Sequence, residues 1–351
     1  MKFKFLFILL ALNTAGRCFA QDKAVSVPSF RIMFYNVENL FDPFHDTLKN
    51  DYEFVSGGAM GWNWQKFDKK LKNISKVIIA AGEWQPPEIV CFSETENRFV
   101  LIQLLKRTPL ERFGYRIIHE ESPDERGIDV AMIYRADRFS EVSHRIIRVN
   151  LPDSAAKTRD ILYVKGIIKG CNLPTENDTL HLFVNHWPSR SGGIELTKHR
   201  REAAALSLKP VVDSVLKNVY KPQVILMGDF NDEPTDESIT KVLGVNNIFG
   251  DNPDQLYNLM FPFVGKNDTG TNKFRGQWGV IDQFIVNGAL LKDDAPVKVS
   301  SNEARILNLP FLLKPDETWS GTVPFRTYNG MKYQGGFSDH LPVILDLGFG
   351  I

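Results

Sequence analysis

Short apolar runs recur along the chain, and each has the length of a β-strand. They cover 30–35, 88–92, 130–134, 180–184, 224–227, 280–286 and 341–347. Apolar residues repeated every three or four positions predict a helix over 67–81. A second helix is predicted over 195–219, where Pro210 is expected to break or kink it. Strands and helices interleaved along one chain indicate the α/β class.

No boundary between domains is visible after the first twenty residues. Because no Gly/Ser linker, block of like charge or internal repeat divides 21–351, we expect one compact domain there. Two stretches, 244–279 and 300–338, are rich in Gly, Pro and Asn and show little periodicity. Loops of that length in a compact domain more often serve a function than not, so both are candidates for substrate contact.

The first twenty residues have the three-part pattern of a secretory signal peptide. A basic start at Lys2 and Lys4 precedes an unbroken apolar run over 5–12, and Ala20 closes a site of the kind that signal peptidases read. The run is too short for a membrane anchor, which needs roughly 20 apolar residues. We therefore expect export to the periplasm or the exterior after cleavage near Ala20, and no transmembrane segment in the mature chain.

A lipoprotein signal is a weaker alternative, because Cys18 stands near the end of this segment but Arg17 occupies a position where a lipobox has a small residue. Two other cysteines, Cys91 and Cys171, would remain after cleavage. Cys91 lies within a strand-like apolar run, which favours two unpaired structural cysteines over a disulfide.

Composition and charge exclude several classes of protein. Apolar residues make up 43% of the chain and charged residues 24%, which argues against a disordered chain, a fibrous repeat or a multi-span membrane protein. With only 3 cysteines, the chain is not a small disulfide-stapled domain. Cleavage would leave 39 basic and 42 acidic side chains, a net charge of −3 without a broad basic footprint for nucleic acid.

Polar side chains of catalytic type stand at the ends of six apolar runs. Four runs finish in such residues, and in two later runs they stand at or near the front. If the two later strands run antiparallel to the other four, all of these side chains meet at one edge, where open α/β sheets bind ligands. The set comprises Asn36, Glu38, Glu94, Asn185, His186, Asp229, Asn231, Asp282, Asp339 and His340.

The chemistry of this set favours a hard cation and a phosphate. A core cannot absorb so many unpaired carboxylates, and carboxylate and amide oxygens suit Mg²⁺ better than zinc, which would recruit more His or Cys. His186 and His340 can donate to a phosphate or neutralise it. Taken alone, Glu94 could be a solvated acid, Asp229 a turn cap and His186 a packed core residue. Their joint occurrence at strand ends favours a shared site.

These residues, in this order, resemble the motif series of the endonuclease/exonuclease/phosphatase superfamily. The series runs Phe-Tyr-Asn-Val-Glu-Asn at 34–39, Ser-Glu at 93–94, Asn-His at 185–186, Gly-Asp-Phe-Asn at 228–231, Ile-Asp-Gln-Phe at 281–284 and Ser-Asp-His-Leu-Pro at 338–342. Arg-Gly-Ile-Asp-Val-Ala at 126–131 and Gly-Gln-Trp at 276–278 look more like the secreted bacterial branch. The resemblance covers nearly all of the mature chain.

The resemblance implies a four-layer α/β sandwich, in which two mixed β-sheets pack face to face and are flanked by helices. It also implies Mg²⁺-dependent cleavage of phosphoric esters by in-line attack of water, with Mn²⁺ as a substitute for Mg²⁺. The implied metal ligands are Glu94, Asn36, Asp339 and Glu38, the last of which serves a second metal in some members. The implied catalytic residues are Asp229 and Asn231 at the attacking water, and His186 and His340 at the phosphate, with His340 oriented by Asp282.

Other substrate contacts are open at this stage. Asn185 and Arg190 are the candidate substrate-binding residues, and for Arg190 a phosphate clamp and a solvated loop arginine are equal alternatives. The basic run 198–201 is expected to form a solvated helix face with Arg201 partly paired. Five aromatic residues of the second long loop either contact substrate or pack the loop onto the sandwich: Phe311, Trp319, Phe325, Tyr328 and Tyr333.

Three substrate classes compete, namely nucleic acid, lipid or inositol and sugar phosphates, and small phosphoesters. The resemblance to secreted nucleases favours a phosphodiesterase that acts on nucleic acid. The alternative of another class is a non-catalytic binding domain on the same fold. No obligate protein partner is inferred. The motifs leave open whether one or two metals bind, and whether Asp229 or a His340–Asp282 pair takes the proton from water.

Overall fold

Two six-stranded β-sheets form the centre of the protein, which is described by a computed structural model over 29–83, 85–152, 157–170 and 179–349. The expected signal peptide, Cys18 and Cys171 lie outside these residues. In chain order the strands are β1 (Ser29–Leu40), β2 (Ile89–Thr95), β3 (Tyr115–His119), β4 (Asp129–Arg135), β5 (Phe139–Ile147), β6 (Ile161–Ile168), β7 (Thr179–His186), β8 (Gln223–Asp229), β9 (Leu256–Asn258), β10 (Asn272–Phe274), β11 (Gln277–Gly279), β12 (Asp282–Asn287), β13 (Val297–Ile306), β14 (Leu313–Pro315), β15 (Thr322–Pro324), β16 (Tyr328–Asn329), β17 (Lys332–Tyr333) and β18 (Val343–Phe349). The α-helices are α1 (Trp64–Gly82), α2 (Arg98–Lys106) and α3 (Ile194–Asn218).

Both sheets are mixed. The first has the order β13-β18-β1-β2-β4-β3 and the second β5-β6-β7-β8-β12-β9. In the first sheet β1 and β2 are parallel, and in the second β7 and β8 are parallel, whereas the other neighbouring strands within these two sheets pair in the antiparallel sense. Sheets of this kind need cover on both faces of their parallel strands, which predicts helices outside.

One large apolar core joins the two sheets, because buried residues of both belong to a single cluster. Helix α1 adds Phe67, Leu71 and Ile74 to that cluster from the outer side of the first sheet. Helix α3 packs on the outer side of the second sheet, where Leu208 and Val212 meet strand residues in a separate cluster. The layers are therefore helix, sheet, sheet and helix, which confirms the expected four-layer sandwich.

The orientation of two late strands brings all the strand-end residues to one edge. β18 runs antiparallel to β1, and β12 runs antiparallel to β8, with Asp282 opposite Asp229. The ends of β1, β2, β7 and β8 therefore lie beside the beginnings of β12 and β18. This confirms the antiparallel orientation of the two late strands, on which the prediction of a common site depended.

Helix α3 bears on two predictions. It continues through Pro210, so the proline, which was expected to break or kink the helix, does not break it. Both Pro210 and Leu206 are exposed, so the Leu206 carbonyl left without an N–H partner faces water. The expected solvated face is wrong at Arg201, which is fully buried and donates through Nε to Asp232 Oδ1 at 2.5 Å. Its charge is compensated there rather than solvated.

The two long segments contain strands rather than open loops, because β9 and the end of β13 join the six-stranded sheets and other strands form short hairpins. β10 pairs with β11, β14 with β15 and β16 with β17. Among the five aromatic residues singled out in the second segment, Trp319 is half-exposed, whereas the others pack against the main core. Packing is therefore the role of Phe311, Phe325, Tyr328 and Tyr333. Cys91 is buried and unpaired in β2, as expected.

Candidate active site

The candidate site is assembled from the ends of strands in both sheets. Asn36 and Glu94 lie near the ends of β1 and β2, and His186 and Asp229 are the last residues of β7 and β8. Asp282 is the first residue of β12, and His340 precedes β18. The strands carry apolar side chains into the core up to these positions, and there the polar side chains begin.

Asn36 joins the two sheets through its amide. Its Nδ2 lies 3.0 Å from Asp229 Oδ2 and 3.4 Å from Glu94 Oε1, and it donates to both carboxylates. The backbone N–H of Asn39 donates to the other oxygen of Glu94 at 2.9 Å. Carboxylates from β2 and β8 are thus held around one amide, although these strands belong to different sheets.

Two histidines flank this carboxylate pair in different charge states. His186 Nε2 lies 3.6 Å from Asp229 Oδ2 and 4.0 Å from Glu94 Oε1. Burial, with Arg159 and Arg126 adding to it, lowers the pKa of His186 well below its ordinary value, so its ring is neutral. Its Nδ1 is buried without a hydrogen-bond partner in the described structure.

His340 is held as the charged member of a pair. Its Nδ1 lies 2.7 Å from Asp282 Oδ2, which leaves Nε2 facing Asp229 at 3.9 Å. Burial opposes charging of the ring, but Asp282 and Asp229 outweigh it and raise the pKa of His340 well above its ordinary value. Asp282 therefore fixes both the orientation of the ring and its charge.

Asp229 is poised to exchange a proton near neutral pH. Burial raises its pKa to about 7, and His340 acts in the opposite direction. The backbone N–H of Asn231 donates to Asp229 Oδ1 at 2.9 Å, and Asn231 Nδ2 donates to the carbonyl of Trp187 at 3.0 Å. Gly228 is required before Asp229, because a Cβ there would stand 2.3 Å from the Asn185 carbonyl oxygen.

Backbone strain is concentrated at this site. Seven non-glycine residues have positive φ among those that the structure describes, and four of them belong to this edge. Those four are Glu38, Asn39, Glu94 and Asn231, with φ between 51° and 63°. Such conformations are costly for residues with a Cβ and cluster at functional sites when the surrounding structure enforces them.

Glu38 and Asp339 lie in a separate network around Arg326. The Arg326 guanidinium donates to Glu38 Oε1 at 3.2 Å and to Asp339 Oδ2 at 2.9 Å. The other Glu38 oxygen accepts the backbone N–H of Thr327 at 2.6 Å and lies 4.0 Å from Lys70 Nζ. Burial and the Asp339 charge raise the pKa of Glu38 to about 7, against the opposing effect of Lys70 and Arg326.

The two candidate substrate-binding residues are occupied by contacts within the protein. Asn185 is fully buried; its Nδ2 donates to the carbonyls of Phe183 and Met227, and its Oδ1 accepts Trp187 Nε1. Arg190 donates through Nε to the Asn231 carbonyl at 2.6 Å and through Nη2 to Asp236 at 2.8 Å. Arg190 thus braces the turn that carries Asn231.

A cavity of about 850 Å³ opens beside His340 and Asn231. One wall is the 190–194 segment, and the other is the β10–β11 hairpin. The hairpin presents Phe274, whose exposed fraction is 69%, together with Arg275, Gln277 and Trp278. A concave surface with apolar rings and a few polar groups has the character of a ligand site.

Sequence reasoning missed Lys70 and Arg326, whereas the hairpin lies within the stretch 244–279 that was expected to contact substrate. A signal for Lys70 was available, because it occupies an apolar-face position of α1, between Phe67 and Leu71. Lysine on a buried helical face needs a carboxylate or other acceptor nearby. Nothing in the local sequence of Arg326 distinguishes it from an ordinary loop arginine.

The donor set fits a hard divalent cation. In the described ion pairs, Glu94 and Asp229 have only histidines as partners, and one of these, His186, is neutral. Carboxylate oxygens concentrated around the Asn36 amide without a lysine or arginine attract a cation that takes oxygen ligands. Atoms of Asp229, Asp282 and His340 that could bind a metal ion also lie within 4.8 Å of one another.

Fold and site together thus define the class of protein. It is a four-layer sandwich with carboxylates and histidines at the ends of its strands. The chain belongs to the Endonuclease/Exonuclease/phosphatase family, whose sequence profile matches residues 31–348. Membership places it among phosphoester hydrolases. No curated protein matches the chain.

Solved structures of similar fold cover almost the whole chain at low identity. The human nocturnin catalytic domain has a TM-score of 0.54 at 20% identity, covering 92% of this chain and 96% of that one. D. rerio TDP2 complexed with single-strand DNA product has 0.53 at 15%, covering 91% and 99%. A mannosyl-6-phosphatase from Bacteroides thetaiotaomicron has 0.53 at 15%, covering 91% and 100%. At these identities the similarity concerns the fold.

Proposed function

We propose that the protein is an exported, Mg²⁺-dependent phosphodiesterase that cleaves nucleic acid by in-line attack of water on phosphorus. One observation carries this proposal. The carboxylates of Glu94 and Asp229 meet around the amide of Asn36, and two histidines in different charge states lie within 4.0 Å of this pair. Strained backbone at Glu94 and Asn231 supports a functional rather than a structural purpose.

The proposed cation ligands are Glu94 with Asn36 and Asp339, the last through Oδ1 because Arg326 binds its Oδ2. Mn²⁺ would substitute for Mg²⁺. When bound, the cation would polarise the phosphoryl group and stabilise the charge that develops on its oxygens. Glu94 is suited to this role because the Asn39 N–H fixes one of its oxygens and burial of β2 fixes its backbone. Glu38 is turned to Arg326 and Thr327.

Asp229 is the proposed general base. The water oxygen forms a bond to phosphorus as one P–O ester bond breaks, and the water proton passes to the Asp229 carboxylate. The leaving oxygen takes the electron pair of the broken bond and is protonated by solvent. Hydrogen bonds from Asn231 and Asn36 hold both oxygens of Asp229 in place. His340 is already protonated by its pairing with Asp282, so its Nε2–H is suited to donate to a phosphoryl oxygen rather than to accept a proton.

His186, Asn185 and Arg190 complete the proposed site. The neutral ring of His186 faces both carboxylates and can donate a hydrogen bond without adding charge. Asn185 and Arg190 are positioning residues in this proposal, because their contacts hold Trp187 and the Asn231 turn. A non-catalytic binding domain is disfavoured, because none of the catalytic residue types of the motif series is missing.

The cavity beside His340 supports a nucleic acid substrate. Phe274 and Trp278 can stack on bases, and Arg275 can contact a backbone phosphate. One structural neighbour, D. rerio TDP2, is described with single-strand DNA product, which agrees with this choice. Sugar phosphates are the second candidate, because another neighbour is a mannosyl-6-phosphatase. Lipid and inositol phosphates complete the set to be tested.

Export and membership of the secreted bacterial branch rest on the sequence of residues 1–20 and on the motifs at 126–131 and 276–278. Among the described residues, no helix is both long and apolar enough to span a bilayer. The intact mass of protein recovered from its native host tests the proposed cleavage. We expect a chain that begins near Gln21, and a chain that still begins at Met1 contradicts export.

A substrate panel tests the proposed activity. Protein lacking residues 1–20 is assayed with Mg²⁺ on plasmid DNA, single-stranded RNA, sphingomyelin, an inositol phosphate, mannose 6-phosphate and a chromogenic bis-ester. We expect cleavage of DNA or RNA, and Phe274→Ala should raise KM for the polymer several-fold while leaving the bis-ester rate unchanged. Phe249→Ala, another exposed phenylalanine, is the matched control. If nucleic acid is uncut at protein concentrations that hydrolyse another substrate, the nuclease proposal is wrong.

A further inference from the structure

Two basic side chains lie beside the carboxylates that a second metal ion would need as ligands. Arg326 bridges Glu38 and Asp339 with one guanidinium group, through Nε and Nη2. Lys70 approaches Glu38 from helix α1, on the other side of the same carboxylate. Each Glu38 oxygen therefore already has a partner, and the backbone N–H of Thr327 adds a further hydrogen bond.

The lysine cannot turn away from this position. Its side chain is 1% exposed, and Nζ donates to Thr327 Oγ1 at 2.5 Å and to the Phe337 carbonyl at 2.7 Å. Lysine is almost never buried unless paired, and Glu38 is the carboxylate that lies beside Lys70 here. A divalent ion at Glu38 would stand beside this fixed positive charge and would be repelled by it.

Arg326 would have to be displaced before a metal ion could reach both carboxylates. Displacement would break its hydrogen bonds to Glu38 and Asp339 and leave a charged group without these partners. The Arg326 side chain is 38% exposed at the edge of the site, in contrast to the enclosed Lys70. Its remaining guanidinium nitrogen, Nη1, can donate toward a bound phosphoryl group, because Nε and Nη2 are the ones engaged.

We infer that Arg326, supported by Lys70, supplies the second positive charge of this site, so that the protein binds one divalent cation at Glu94 and none at Glu38. This inference rests on the proposed function, because it takes the Glu94 site as the metal site. In it, Glu38 is a positioning residue that anchors Arg326, and Arg326 is the group that faces the phosphate.

Metal stoichiometry tests the inference without measuring activity. Metal-free protein is titrated with Mn²⁺, and free Mn²⁺ is followed by electron paramagnetic resonance. We expect one equivalent per chain for the wild type and none for Glu94→Gln. Arg326→Gln removes the guanidinium charge from Glu38 and Asp339, and we expect it to gain a second, weaker equivalent.

The matched control is Arg305→Gln. Arg305 is also a partly exposed arginine, 42% exposed, that binds a carboxylate, Asp346, but it belongs to the edge strand β13. The Arg305→Gln variant should retain one equivalent of Mn²⁺ per chain. Thermal melting checks that each variant is folded. Two equivalents in the wild type, or one in Arg326→Gln with unchanged affinity, overturn this inference and leave the proposed function intact. No bound Mn²⁺ in the wild type overturns both.

Discussion

Asp229 and His340 form a pair of opposite charges, in which each residue favours the charged form of the other. Burial alone would favour the neutral form of each residue, yet they lie 3.9 Å apart, and Asp282 supplies a second negative charge to the histidine. Each therefore depends on the other for its charge state. Removing either one changes both the reacting group and its neighbour.

We expect Asp229→Asn and His340→Ala each to lower kcat by a factor on the order of 10², as positioned proton-transfer and transition-state contacts do. The double variant should lose less than the product of the two single losses, because residues that act as a unit are not additive. Steady-state kinetics on a bis-ester measures this. Asp213→Asn, an exposed acid on α3, is the control, and strictly multiplicative losses would show that the two residues act separately.

His181 makes stability depend on pH at a position outside the site. It is buried in β7; Tyr163 O–H donates to its Nδ1 at 2.7 Å, and its Nε2 has no partner in the described structure. Burial, with Lys165 adding to it, lowers the pKa of His181 to about 4. The unfolded chain therefore takes up a proton at this residue from near pH 6.5 downward, while the folded protein does not until near pH 4.

Stability should therefore fall as the pH is lowered from 7 to 5, by about 2 kcal/mol from this residue. Urea unfolding at both pH values measures the difference. His181→Gln should lose about that much less than the wild type over the same interval, and His199→Gln, at an exposed position on α3, should behave as the wild type does. Equal pH dependence in His181→Gln and the wild type would refute this account of the residue.

At the scale of elements, most strands that are buried on both faces were predicted, although β6, with six of its eight residues buried, was not. Strands such as β2 and β8 have both faces buried, so they appear in the sequence as apolar runs that end in polar residues. In the edge strand β5 only the first and last residues are buried, and polar and charged residues lie among the others, so no apolar run marked it. The strand-end residues could be predicted because each stands where the apolar run of a central strand begins or ends.

The rest of the site depends on contacts that no local pattern encodes. Arg326 becomes part of it only because two carboxylates from β1 and the segment before β18 converge on it. The pairing of Arg201 was expected but its burial was not, because its partner Asp232 lies 31 residues away, at the end of the Asn231 turn. A helical pattern can indicate that a charged residue such as Lys70 is buried, but its partner can be identified only when both residues are placed.

Helix α3 tolerates Pro210 at a cost that a substitution should recover. Pro210 is exposed, so Pro210→Ala restores the N–H that can donate to the Leu206 carbonyl without disturbing the buried face. We expect stabilisation by about 1–3 kcal/mol, measured as a higher urea midpoint. Lys209→Ala, one residue earlier, should change stability by less than about 0.5 kcal/mol. A lower midpoint for Pro210→Ala would contradict this explanation.

At the scale of the whole molecule, the site exists only when the two sheets are packed together. Asn36 and Glu94 come from the first sheet, and His186 and Asp229 come from the second. The shared core fixes the distance between these groups, so catalysis and global folding are linked. Around Asn36, the proposed cation ligands of the first sheet meet Asp229, the proposed general base, from the second sheet.

The most direct test of the account is the dependence of hydrolysis on a divalent cation and on Glu94. Protein lacking residues 1–20 is stripped with excess chelator and assayed on a chromogenic bis-ester, before and after Mg²⁺ is added. The account predicts no activity in chelator, recovery with Mg²⁺ or Mn²⁺, and a rate lowered by a factor on the order of 10² or more in folded Glu94→Gln. Full activity in excess chelator, or in Glu94→Gln, would contradict it.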